Sequence, residues 1–131
     1  MDNSSNRFIV VDDDPMNNKI CQFIINQVHP HASITLFNDG ETALAFIKSQ
    51  YDKKVNESKT ILFLDLNMPV MMGWEFLDEF KKLSSEIQNK FQIYILSSSV
   101  DERDKERASR EPLIAGFISK PISKDILIEL S

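Results

Sequence analysis

Two short segments, Phe8 to Val11 and Ile61 to Leu64, are apolar at every position, and this restricts the fold more than any other feature of the chain. A strand with one face in water alternates apolar and polar residues. An uninterrupted run instead fits a central strand covered by helices on both faces, as in a parallel sheet. Each run also ends abruptly in acid: the first delivers Asp12, Asp13 and Asp14, the second Asp65.

The intervening sequence supplies the helices that such a sheet requires. Asp14 is placed to cap a helix with Pro15 in its first turn; Met16, Ile20, Phe23, Ile24 and Val28 recur at helical spacing, and His29-Pro30 ends it. A second strand is expected at Ser33 to Phe37, a turn at Asn38-Asp39-Gly40, and a helix over Glu41 to Lys48 with Ala43, Leu44 and Ile47 on one face. After a loop through Pro69 and Gly73, a helix is expected near Trp74 to Leu83, with Trp74, Leu77 and Phe80 packing together. A strand then follows at Ile93 to Leu96. The segment Asp101 to Glu111 is nearly all charged, so a helix there would have a poor apolar stripe and dock loosely. Gly116 to Ser119 reads as the fifth strand and Ser123 to Leu130 as a short last helix. Five strands alternating with five helices predict an α/β protein, a three-layer αβα sandwich around a five-stranded parallel sheet.

At 131 residues the chain fits one domain over 1–131, with 1–6 as a polar, frayed leader and Gln50 to Lys59 as a second polar stretch. A net charge of -5 disfavours direct binding to nucleic acid or an anionic membrane surface and points to protein partners. No stretch approaches the roughly 20 apolar residues that span a bilayer. The single cysteine, Cys21, lies in an apolar helical stripe and is expected to be a buried thiol; a cytoplasmic location is the expectation. His29 and His31, flanking Pro30, are expected to face solvent.

Loops after the first, third, fourth and fifth strands of such a sheet share one rim, so Asp12, Asp13, Asp65, Ser97 and Lys120 are expected to meet. Three carboxylates so close repel by about 4 kcal/mol per pair at an effective dielectric of 20, which calls for a cation, and all-oxygen ligands favour Mg²⁺. With charge neutralised by metal and Lys120, Asp65 is a candidate nucleophile toward phosphorus, and a hydroxyl from Ser97 can sense the product. Ser98 or Ser99 takes that role if the strand ends later; register favours Ser97. Asp14 is read as a cap and is left out of the site.

With LFLDLNMP, ILSSS and FISKP on the page, the chain resembles the receiver domain of bacterial two-component response regulators over nearly its whole length. The resemblance implies a (βα)5 flavodoxin-like fold, with Asp65 as phosphoacceptor, Asp13 as direct Mg²⁺ ligand and Asp12 acting through water. It implies further that the Asn67 backbone carbonyl completes the metal site, that Lys120 binds phosphate, and that Ser97 and Phe117 form the switch. Lys120-Pro121 is similar to a bond that is cis in that family. Expected partners are a histidine kinase or phosphotransfer protein upstream and a protein target or output domain downstream, with the receiver a monomer or a phosphorylation-dependent dimer. Turnover chemistry is not expected beyond self-phosphotransfer and slow autodephosphorylation. One departure is Met72-Gly73, where the family often has Asp-Gly. Two other readings stand beside this one: a phosphorylation-independent adaptor, and a phosphatase of the haloacid dehalogenase type. The phosphatase is disfavoured because it needs a second acid two residues after the nucleophile, where this chain has Asn67.

Overall fold

The computed structural model describes residues 7–51, 59–68, 70–98 and 101–130. The expected leader at 1–6, most of the polar stretch before Lys59, Pro69 and the alternative hydroxyl Ser99 lie outside the described residues. Five strands form one fully parallel sheet in the order β2-β1-β3-β4-β5: β1 (Arg7–Val11), β2 (Ser33–Phe37), β3 (Thr60–Leu64), β4 (Phe91–Ser97) and β5 (Ile114–Ser119). The two all-apolar runs are thus interior strands, as their composition requires.

Side-chain alternation divides the core between the two faces of the sheet. Ile9, Val11, Leu62, Leu64, Ile93 and Ile95 pack against α2 (Gly40–Gln50) and α3 (Gly73–Phe80), through Ala43, Ile47, Phe76 and Phe80. Phe8, Val10, Ile61, Phe63, Tyr94 and Leu96 face the other way, onto α1 (Pro15–Val28) and α6 (Lys124–Leu130), through Cys21, Ile25 and Leu127. Burial pushes the Cys21 thiol up to about 12, keeping it neutral.

Three sequence expectations need correction. The first concerns the face of α1: Met16 and Phe23 are 68% and 61% exposed, and the helix instead buries Asn17, Asn18, Cys21 and Ile25. The cause is polar, because Asn17 and Asn18 turn inward to donate to Asp12. The second is the number of helices. A single-turn helix, α4 (Ser85–Gln88), precedes β4, capped by the Ser84 hydroxyl and fastened by the Gln88 amide, which donates to the Lys81 and Leu83 carbonyls. It is too short to show a period. The third is His29, which is half-buried with its ring 5.5 Å from that of Phe8, while His31 is exposed as expected. The charged segment does form a helix, α5 (Glu102–Ser109), with Ala108 as its one buried residue.

Candidate functional site

Both acid-bearing strands deliver their carboxylates immediately after the last ladder bond. Asp12 N donates to the Phe37 carbonyl at 3.0 Å, and Asp65 N donates to the Val11 carbonyl at 3.0 Å, so each Asp sits where β1 or β3 leaves the sheet. Asp12 and Asp65 are 1% and 4% exposed, whereas Asp13 is open to solvent. Oxygens of Asp12, Asp13 and Asp65 lie within 4.8 Å of one another. Lys120 arrives from the end of β5 through a cis Lys120-Pro121 bond, its backbone N donating to the Ser97 carbonyl at 2.8 Å. Its ammonium is 2.7 Å from Asp12 Oδ2 and 3.6 Å from Asp65 Oδ1.

Asp14 caps α1 by accepting from Met16 N at 3.0 Å and stays out of the cluster, as its sequence position indicates. Ser97 is the buried last residue of β4, and Ser98 follows it into solvent. Asn67 is exposed, with its N–H directed at Asp65 Oδ1 at 3.4 Å. Phe117 lies in β5, part-buried against the core on the α2–α3 side.

Two residues of the site escaped the sequence reading. Asn17 Nδ2 donates to Asp12 Oδ2 at 2.8 Å, and Asn18 Nδ2 donates to the Asp12 carbonyl at 3.0 Å and to Asn38 Oδ1 at 3.1 Å. Asp14 N also donates to Asp12 Oδ1 at 2.9 Å. Asp12 is thereby held by its surroundings at both oxygens. The available clue was a pair of amides in register with Cys21 and Ile25, polar residues on what proves to be the buried face.

The electrostatics are unequal. Burial, and then the Asp12 charge, push the Asp65 carboxyl up to about 6, with Lys120 opposing. Burial alone would lower the Lys120 ammonium, but the hydrogen bond and charge of Asp12, followed by the charge of Asp65, raise it. An Asp whose folded pKa exceeds its unfolded value stabilises the fold below the unfolded value and loses that contribution as pH rises through the folded one. In metal-free protein, Asp65→Asn is therefore expected to gain about 2 kcal/mol at pH 7, a gain that disappears near pH 4; urea melts at the two pH values measure it.

Hard oxygen donors converging beside one ammonium fit a divalent cation of the Mg²⁺ class, with Asp13 and Asp65 the ligands least committed to internal hydrogen bonds. Residues 8–130 match the response regulator receiver domain. The chain belongs to that family. Receiver domains are signalling modules of two-component systems, and the acidic cluster of this receiver occupies the rim that the sheet topology assigns to a site. A two-component response regulator from Cytophaga hutchinsonii is 30% identical, with a TM-score of 0.86, covering 97% of this chain and 94% of that one. A response regulator receiver protein from Dyadobacter fermentans is 27% identical, with a TM-score of 0.84, over 95% and 93%. A Vibrio cholerae chemotaxis protein shares the fold at 20% identity and a TM-score of 0.73, over 97% and 96%. Among curated proteins no sequence relative is detected. Among the described residues, no helix of the receiver is long and apolar enough to cross a membrane.

Proposed function

We propose that this receiver, a single domain over 1–131, is a cytoplasmic switch that takes a phosphoryl group onto Asp65 from a histidine kinase or phosphotransfer protein. The observation that carries the reading is the buried Asp65 carboxylate, set beside Asp12 and Asp13 and faced by the Lys120 ammonium. An Asp65 oxygen attacks phosphorus, the bond from phosphorus to the donor atom breaks, and its electron pair leaves with the donor. The product is an acyl phosphate. Asp13, Asp65 and the Asn67 carbonyl would hold Mg²⁺, with Asp12 acting through water, and the ion supplies charge neutralisation on the phosphoryl oxygens. Lys120 exchanges part of its pairing with Asp12 for a phosphoryl oxygen, and the Ser97 hydroxyl donates to another. These contacts draw Ser97 inward and alter the packing of Phe117, so the surface of α5, β5 and α6 changes its affinity for a downstream protein or output domain.

Intact-mass spectrometry after incubation with acetyl phosphate and Mg²⁺ tests the reading. A single labile phosphoryl adduct is expected, absent from Asp65→Asn and from samples containing EDTA. An adduct that survives the substitution would place the acceptor elsewhere. No adduct from a folded, Mg²⁺-bound wild type, with acetyl phosphate or with a kinase, would favour the phosphorylation-independent adaptor.

The exposed stripe Met16, Ile20 and Phe23 begins directly behind the acidic loop, which suits it to receive the protein donor that must reach Asp65. Phe23→Asp is expected to change stability by less than about 0.5 kcal/mol while slowing transfer from a protein donor severalfold. Phosphorylation by acetyl phosphate should be unchanged. Equal slowing with both donors would remove the stripe from this role.

A further inference from the structure

Apolar packing does little to hold α5. Ala108 is its one buried residue, and a cleft of about 380 Å³ lies against it, lined by Lys105, Ala108, Ser109, Ile114, Gly116 and Phe117 among others. Besides its contacts with β5, α5 is joined to α3 by polar contacts. Trp74 Nε1 donates to Asp104 Oδ1 at 3.1 Å, and the Arg107 guanidinium lies 4.2 Å from the centre of the same indole ring. Lys81 forms an ion pair with Glu111 one turn farther along.

The two sides of this clasp are attached to two different loops of the site. Trp74 follows Gly73, whose N–H donates to the Leu66 carbonyl at 3.0 Å, tying the start of α3 to the segment just after Asp65. Asp104 lies in the first turn of α5 and Arg107 in its last, and the helix cap Asp101 comes four residues after Ser97 at the end of β4. A displacement of Ser97 relative to the Asp65 loop is therefore passed along the chain to α5 and bears on the indole. Single contacts of this kind at a half-exposed site are weak enough for one new hydrogen bond at the Ser97 loop to offset.

We propose that Trp74, Asp104 and Arg107 form a latch that holds α5 against α3 in the resting receiver and opens when the Ser97 loop is drawn toward a phosphoryl group. The opening step rests on the phosphoacceptor reading above; the resting latch does not. Trp74 is the chain's one tryptophan, so its emission reports the latch without a label.

Hydrogen–deuterium exchange on the full chain, paired with binding of beryllofluoride in Mg²⁺, tests the latch. In Trp74→Phe, which keeps a ring but loses the N–H donor, the α5 amides are expected to exchange about tenfold faster in the resting protein, while β3 and β4 are unchanged. Arg107→Met should act in the same direction to a smaller extent. Because a released helix leaves less to undo, Trp74→Phe should also bind beryllofluoride about threefold more tightly, by linkage, and in wild type the Trp74 emission is expected to change on that binding. Unchanged α5 exchange in both variants would overturn the latch. Faster exchange with unaltered or weaker beryllofluoride binding would also overturn it, reducing the indole to packing. A wild type that binds no beryllofluoride would instead overturn the phosphoacceptor reading, and the exchange comparison would still decide whether the clasp holds α5.

Discussion

Lys120→Met should cost the metal-free receiver about 3–5 kcal/mol, the scale for removing one partner of a buried ion pair. The ammonium stands 2.7 Å from Asp12 Oδ2 and 3.6 Å from Asp65 Oδ1, and its side chain is nearly as buried as theirs. Without it, two buried carboxylates face each other, and donors such as the Asn17 amide and the Asp14 and Asn67 N–H groups carry no full charge to compensate them. Urea denaturation in EDTA should show the full loss, and saturating Mg²⁺ should restore most of it, since the cation binds the folded cluster and not the unfolded chain. In an Asp65→Asn background the same substitution should cost much less, because one of the repelling charges is gone. A loss below about 1 kcal/mol that is indifferent to Mg²⁺ would mean that Lys120 is not the internal counter-charge.

Gly73→Ala should be nearly as damaging for a steric reason. A Cβ on Gly73 would stand 2.6 Å from the Asp65 carbonyl oxygen and 2.8 Å from Leu66 Cα, both backbone atoms that can yield only by moving the loop. About 2–3 kcal/mol of destabilisation is expected, together with weaker Mg²⁺ binding, because the displaced segment carries Asp65 and Asn67. Gly40→Ala is the informative control. Its Cβ would meet Met71 Sδ at 2.8 Å, the flexible end of a side chain, so it should be much milder. Equal losses at the two positions would show that generic crowding, and not the approach of α3 to Asp65, is responsible.

These two positions also mark how far the sequence alone could be read. Asp12, Asp13, Asp65 and Lys120 were legible because a sheet covered on both faces fixes where its strands end, and polar residues at those ends have one rim to occupy. Gly73 was visible as a loop residue, but its closeness to the Asp65 carbonyl depends on three-dimensional approach that spacing does not encode. The orientation of α1 was misread because hydrophobicity was counted and local hydrogen bonding was not: two amides satisfying Asp12 outweigh the burial of Met16 and Phe23. The looseness expected of α5 was right about its apolar stripe and blind to Trp74, whose ring and N–H reach a helix distant in sequence. The one-turn α4 fell below the length at which any period can be recognised.

Strand order has a further consequence, for the chain as it is being made. The three acids follow β1 and β3, whereas the ammonium that compensates them follows β5, the last of the five strands of this sheet to leave the ribosome and an edge of it. Until β5 pairs with β4, a nascent chain carries its carboxylates without their internal counter-charge, so divalent cations in the surrounding solution are the natural chaperone for that interval.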